Sequence, residues 1–80
     1  MHRLHHRKVF GNAIRGYRTK AGLTQERLAE RANLHHNFIG EVERGNMECS
    51  LTSRVKISKA LGVRVKDLVV GNLKKGFRLR

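Results

Sequence analysis

Apolar residues recur along this chain at the spacing of a helix, with polar residues between them. Phe10, Ile14 and Tyr17 lie at i, i+4 and i+7, which predicts a first helix from about Val9 to Ala21. Glycine follows several of the apolar-periodic segments, as is typical of helix C-termini, at Gly22, Gly45, Gly62 and Gly71. No alternation is long enough for a strand, so the pattern predicts an all-α chain.

The centre of the chain holds two short amphipathic segments on either side of Asn33. The earlier one runs from Gln25 to about Ala32, and Thr24 is expected to cap it because a threonine hydroxyl can accept a backbone N–H. The later one runs from about His36 to Arg44. Asn33 tolerates the left-handed backbone conformation, so we place a short chain reversal there. The predicted inward-facing residues are Leu28, Ala29, Ala32, Ile39 and Val42.

Two further helices are predicted after Gly45. Ser50 is the expected N-cap of a fourth helix from Leu51 to Leu61, and a short fifth helix from about Val65 to Val70 follows Gly62. The fourth helix carries an imperfect apolar stripe of Leu51, Val55, Ile57, Ser58 and Leu61. The predicted architecture is therefore a bundle of five helices.

Composition limits the chain to one small, basic domain. It has 80 residues, 39% of them hydrophobic, and a formal net charge of +12. A chain of this length sustains a single core. Basic residues concentrate at both ends, which predicts a basic arm at residues 1–8, a folded domain at 9–70 and a basic tail at 71–80. Such a charge favours a polyanionic partner, either nucleic acid or an anionic membrane surface.

Cysteine usage and hydropathy indicate the cellular setting. Cys49 is the single cysteine, so no internal disulfide can form, and a reducing compartment is favoured. No apolar run approaches the roughly 20 residues of a membrane helix, and the N-terminus has no signal-peptide pattern. We therefore expect a cytoplasmic protein that does not enter a membrane.

The histidines raise the question of a metal site. They occur as a set spaced for one helical face and as an adjacent pair, namely His2, His5, His6, His35 and His36. No cysteine or carboxylate cluster completes either set, so we expect neither a metal nor a cofactor. The sequence shows no Ser/His/Asp arrangement of the kind that nucleophilic catalysis uses. Because so small a domain also leaves little room for a substrate pocket, we expect that the protein is not an enzyme.

Two helices joined by a short turn predict a helix-turn-helix, whose second helix enters the major groove of DNA. From about Val9 to Val70 the chain resembles the λ-repressor-like (XRE-type) helix-turn-helix regulators. The resemblance is carried, in order, by IRGYRTKAGLTQ, QERLAERANL, VERG and ALGVRVKDL. Size and layout also resemble the controller proteins of restriction–modification systems, while phage repressors and toxin–antitoxin regulators share the same pattern.

The resemblance implies roles for individual residues. Gln25 matches a glutamine that hydrogen-bonds a phosphate and steadies the recognition helix. Arg18 matches the partner of Glu43 in a salt bridge between the first and third helices. His35 lies at the entrance of the third helix, where it suits a phosphate or flanking contact. The positions that match base-reading residues are His36, Asn37 and Glu41.

Side-chain chemistry agrees with these roles. Asn37 can pair with adenine, a neutral histidine can donate or accept, and Glu41 can accept from cytosine. Arg15, Arg44, Lys56 and the basic segments at both ends are expected to bind phosphates without base preference. Phe38 points away from the inward stripe, so it either packs partly against the fourth helix or contacts DNA.

Several residues depart from the family pattern. Asn33 replaces the usual turn glycine, and Gly40 stands where serine or threonine is common, at a cost of up to about 1 kcal/mol in helix stability. Cys49, Arg54 and Arg64 replace a proline, an apolar residue and a capping serine, respectively. These last three bear on the packing of the fourth and fifth helices.

The fifth helix is more hydrophobic than a short terminal helix of a monomer requires. Its residues Val65, Leu68, Val69 and Val70 either close the core or form a two-fold interface. That region commonly forms such an interface in the resembling family, and a homodimer suits a palindromic site. We therefore expect a homodimer.

The predicted function is sequence-specific regulation of transcription on double-stranded DNA. One alternative is an antitoxin-like module whose main partner is a protein, and a partner such as a toxin or RNA polymerase is left open. The other is a general binder of RNA or membrane surfaces that acts through its charge. Of these three functions, only sequence-specific regulation of transcription requires the third helix to distinguish one duplex sequence from another.

Overall fold

The computed structural model describes residues 2–69, and the side chains of residues 5–68. The described residues form five helices: α1 (His2–Lys20), α2 (Gln25–Ala32), α3 (His36–Glu43), α4 (Leu51–Leu61) and α5 (Val65–Val69). The all-α, five-helix prediction is confirmed. The predicted basic tail at 71–80 lies outside the described residues, as does Val70.

The first helix begins earlier than predicted. Residues 2–8, expected as an arm, continue α1 towards the N-terminus without a break. This segment contains neither glycine nor proline, so nothing in it opposes a helix. Tertiary contacts also hold it, because Arg7 Nε donates to Glu48 Oε1 at 3.1 Å and Lys8 lies against Gly45.

The helix ends follow the local chemistry predicted for them. Thr24 and Ser50 cap α2 and α4, because each side chain accepts the backbone N–H three residues later. Asn33 ends α2 in the left-handed conformation, with φ 59° and ψ 47°. Gly62 ends α4 in the same way, with φ 73°.

An aliphatic core lies where the helices meet. The largest fully buried side chains are Ile14, Leu28, Ile39, Val42, Ile57 and Leu68. α1 and α3 approach closely at Gly11, where a Cβ atom would overlap the carbonyl oxygen of Val42 and lie 2.6 Å from that of Glu43. Only glycine allows these two backbones to approach so closely.

Two predictions about apolar positions need correction. Leu51 was assigned to the inward stripe of α4, yet it is 70% exposed, because the first residue of that helix faces away from the bundle. Leu68 was expected either to close the core or to join a subunit interface; it is fully buried within the single chain, so the interface alternative is wrong for this residue. α5 packs against α1 and α4, so Leu68 closes the core rather than offering a surface to a second subunit.

Arg54, one of the departures from the family pattern, is accommodated in the packing. Arg54 stacks its guanidinium 5.0 Å from the centre of the Phe10 ring and donates from Nε to the carbonyl oxygen of Cys49 at 3.0 Å. Its cation thus covers the edge of the core at a position where the resemblance implies an apolar residue. Phe38 is partly buried against the core, in agreement with the packing alternative. None of the described helices is long and apolar enough to cross a membrane.

Candidate nucleic-acid interface

The third helix buries one face and exposes the other. Ile39 and Val42 are inside the core, and α3 packs against both α1 and α2. His36 and Asn37 are exposed at its leading end, and Glu41 is half-exposed on a later turn. The three residues predicted to read bases therefore lie on the accessible side of α3.

A buried polar network fixes α3 from behind. Arg18 of α1 donates from Nε to Glu43 Oε2 at 2.6 Å and from Nη2 to Glu43 Oε1 at 3.0 Å. Gln25, the first residue of α2, donates from Nε2 to the same Oε1 at 3.0 Å. The predicted Arg18–Glu43 salt bridge is confirmed, and Gln25 joins the second helix to it.

This network is shielded from water. The side chains of Arg18 and Glu43 are only 11% and 3% exposed. Arg18 places its remaining guanidinium nitrogen, Nη1, 2.8 Å from the carbonyl oxygen of Leu23. The hydrogen bond to Glu43 raises the pKa of Arg18 and outweighs the opposing effect of burial. Arg18 is therefore a charged residue that positions helices.

The entrance of α3 is formed by stacked histidines. His35 has an extended backbone, and its Nδ1 accepts the backbone N–H of Asn37 at 3.1 Å. Its ring stacks on that of His36, with centroids 4.9 Å apart and an interplanar angle of 18°. Sequence reasoning placed His35 at this entrance but missed its capping role, because histidine is not among the residues preferred at N-caps.

Glu41 is held by two neighbours on the same surface. Arg44 Nη2 lies 2.8 Å from Glu41 Oε2, and Asn46 Nδ2 lies 3.1 Å from Glu41 Oε1. The hydrogen bonds from Asn46 and Arg44 lower the pKa of Glu41. Sequence reasoning missed Asn46, which lies five residues from Glu41, beyond the end of the helix.

An open, positively charged cleft of about 430 Å³ lies between α1 and the end of α3. Its lining residues are Lys8, Asn12, Arg15, Glu43, Arg44 and Asn46. Two of the predicted phosphate ligands, Arg15 and Arg44, therefore face the same space. Sequence reasoning missed Asn12 and expected Lys8 only as part of a basic arm, because a linear pattern does not show which face of α1 meets α3.

The cleft continues into the surface around Gln25. A Cβ atom at Gly40 would lie 3.4 Å from Gln25 Oε1 and 3.5 Å from Arg44 Nη1. These distances place the side chains of Gln25 and Arg44 both beside Gly40, and Arg44 also lines the cleft. We call the amide of Gln25, the guanidinium of Arg44 and the lining of the cleft together the polar surface beside α3.

The remaining predicted positions lie elsewhere. Val65 is half-buried at the start of α5, while the side chains of Val69 and Val70 are outside the described part of the chain. Across the described residues, no group of three histidine, cysteine, aspartate or glutamate side chains could hold a metal ion. Burial raises the pKa of Cys49 to about 11, which opposes its use as a nucleophile.

Comparison with known proteins agrees with this geometry. A helix-turn-helix family profile matches residues 14–68. The chain is 45% identical over 64 residues to control protein C.BamHI of Bacillus amyloliquefaciens, and the alignment covers 79% of each chain. It is 35% identical over 63 residues to control protein C.SmaI of Serratia marcescens, and the alignment covers 79% of this chain and 75% of C.SmaI.

A solved structure shows the same arrangement. The restriction-modification controller protein C.AhdI from Aeromonas hydrophila superposes with a TM-score of 0.76 at 37% identity, over 78% of this chain and 94% of its own. Sequence and fold thus lead to the same group of proteins. The chain belongs to the λ-repressor-like (XRE-type) family of helix-turn-helix transcriptional regulators.

Proposed function

We propose that this protein regulates transcription by docking α3 in the major groove of a palindromic operator. The observation that carries the proposal is the division of polar groups in α3. Glu43 is occupied by Arg18 and Gln25 inside the fold, whereas His36 and Asn37 are exposed at the leading end. The leading residues of a recognition helix are those that reach base edges.

Base readout is assigned to three side chains. Asn37 can form two hydrogen bonds to adenine, through N6 and N7, and His36 can contact a guanine or a flanking acceptor. Glu41 can accept from cytosine N4 through the lone pairs that Arg44 and Asn46 do not use. Because these two neighbours orient its carboxylate, Glu41 would meet the base with little loss of side-chain freedom.

Backbone contacts are assigned to the polar surface beside α3. Gln25 has a second amide hydrogen available for a phosphate oxygen, since only one is needed for Glu43. Arg15 and Arg44 line the cleft and supply positive charge, and His35 lies at the helix entrance. Arg18 is assigned a positioning role, because all three of its nitrogens donate within the protein.

A homodimer would place two copies of α3 on one palindrome. The supporting observations are the half-buried Val65 at the start of α5 and the hydrophobic Val69 and Val70 that follow it in sequence. Controller proteins are among the similar chains. Half-sites about 34–36 Å apart would match two recognition helices related by a two-fold axis. The family is one of regulators rather than enzymes, so we assign no reaction.

The rival function is charge-driven binding to any polyanion, which the net charge of +12 favours. The test is selection of binding sites from a random duplex library at near-physiological salt. The wild type is compared with Asn37→Ala and with Lys59→Ala, which removes an exposed side chain near the end of α4. The proposal requires a palindrome whose preference relaxes at one position in Asn37→Ala and persists in Lys59→Ala. A pool that stays random would support the rival.

The cleft is tested separately through salt. Arg15→Gln and Arg44→Gln should each reduce the slope of log K against log salt by about 0.9, as expected for the loss of one phosphate contact. The base preference should not change in Arg15→Gln. Lys59→Gln is the matched charge control and should leave the slope unchanged. Equal slopes in all three variants would remove the cleft from the interface.

A further inference from the structure

The recognition helix begins with an unusual cap. Thr24 and Ser50 cap α2 and α4 through hydroxyl oxygens, which are common N-cap acceptors. α3 uses the imidazole of His35 instead, whose Nδ1 accepts the N–H of Asn37 at 3.1 Å. Asn37 is both the residue secured by this cap and the residue assigned to adenine readout.

The cap also determines the protonation of the ring. An imidazole nitrogen can accept a hydrogen bond only when it carries no proton. Because Nδ1 accepts from Asn37, the ring that makes this cap carries its proton on Nε2. A charged imidazole would present a donor at Nδ1 and leave the Asn37 N–H without its acceptor.

The face of the same His35 ring is restricted by stacking on the ring of His36. The rings of His35 and His36 are nearly parallel, with an interplanar angle of 18° and centroids 4.9 Å apart. One contact fixes the edge of the His35 ring and the other fixes its plane. The first turn of α3 is thus ordered by His35 before DNA arrives, which lowers the entropic cost of binding.

We propose that His35 is a positioning residue for base readout, acting as a neutral imidazole protonated on Nε2 that holds Asn37 in the first turn of α3. The inference rests on the proposed function, because it assigns to Asn37 the reading of a base. The resemblance implied a phosphate or flanking contact for His35. The capping role instead makes His35 act on specificity through its neighbour.

The decisive test is a double-mutant cycle on the selected operator. His35→Ala should weaken operator binding roughly five-fold, which corresponds to a typical capping contribution. It should also relax the same base position as Asn37→Ala. In the Asn37→Ala background, the operator preference lost on adding His35→Ala should be much smaller. His35→Asn, whose side chain can also cap, should restore the preference that His35→Ala loses.

Two readouts separate positioning from a general loss of stability. The wild-type two-bond ¹H–¹⁵N spectrum should show the tautomer of His35 protonated on Nε2. Exchange of the Asn37 amide should accelerate in His35→Ala and recover in His35→Asn, with no change at Ile39. A tautomer protonated on Nδ1, or full base preference in His35→Ala, would overturn the proposal.

The outcomes also separate this inference from the proposed function. If the wild type selects no operator, the proposed function itself fails. If the wild type selects one and Asn37→Ala relaxes it, the function stands. In that case, independent effects of His35→Ala and Asn37→Ala would refute only the positioning role.

Discussion

The buried ion pair between Arg18 and Glu43 allows a quantitative test of how the three helices are joined. Replacing one partner leaves the other charged inside the fold, which costs about 3–5 kcal/mol. Arg18→Met should fall at the upper end, because the Glu43 side chain is only 3% exposed and would keep only Gln25 as its donor. Glu43→Leu should cost less, because the longer Arg18 side chain can turn towards water.

These costs are large for a domain of this length. An 80-residue chain is expected to have a total stability of about 4–12 kcal/mol. The urea midpoint should therefore drop by about 4–5 M in Arg18→Met, measured by circular dichroism and analysed with a slope of about 1 kcal/mol/M. The double variant Arg18→Met/Glu43→Leu should recover most of the loss, because it buries no unpaired charge.

The matched control is the exposed pair Arg27–Glu30, whose side chains are 67% and 70% exposed. Arg27→Met should change the free energy of unfolding by less than about 1 kcal/mol. A cost below about 1 kcal/mol for Arg18→Met would show that the pair is not a structural support. Additive costs in the double variant would show that the two residues do not act through each other.

Four further substitutions test the packing and the burial of Cys49. Gly11→Ala should destabilise the protein by about 1–3 kcal/mol or more, because the added Cβ would meet the backbone of α3. Gly16→Ala should stabilise the protein by about 0.5–1 kcal/mol, because nothing lies within 4 Å of its Cβ position. Equal urea midpoints for the two variants would refute the close approach of α1 and α3. Gly40→Ala should also stabilise by up to about 1 kcal/mol in thermal unfolding, because its Cβ would make ordinary contacts of 3.4 Å or more; a loss would mean that the bare backbone is needed. Burial raises the pKa of Cys49 from 9.0 to about 11, so the unfolded chain releases this proton first as the pH rises. The free energy of unfolding should therefore fall by about 2 kcal/mol more in the wild type than in Cys49→Ala between pH 9 and 11, and parallel curves would show that the thiol is not buried.

Local signals in the sequence predicted much of the fold. Hydrophobic spacing located all five helices, and Thr24, Asn33 and Ser50 marked ends whose chemistry involves only neighbouring residues. The salt bridge between Arg18 and Glu43 was expected from the family resemblance alone. These features depend on short segments or on a shared motif.

The features that were missed depend on tertiary contacts. α1 begins at residue 2. Its first part is held by the contact between Arg7 and Glu48, which are 41 positions apart in the sequence. A stripe on a helical wheel could not show that Leu51 faces solvent or that Leu68 fills the core. The cleft was missed for the same reason, since Asn12 of α1 and Asn46 after α3 come together only in the folded chain.

The polar network behind α3 has a consequence for how such a regulator could change its target over evolution. Arg18, Gln25 and Glu43 support the helix from its inner side, whereas His36 is exposed and Glu41 is half-exposed on the other. Changes at His36 or Glu41 would therefore leave the buried support intact. Under the proposed readout, two copies that arise by gene duplication could diverge at these positions, acquire different operators and avoid interfering with each other while sharing one scaffold.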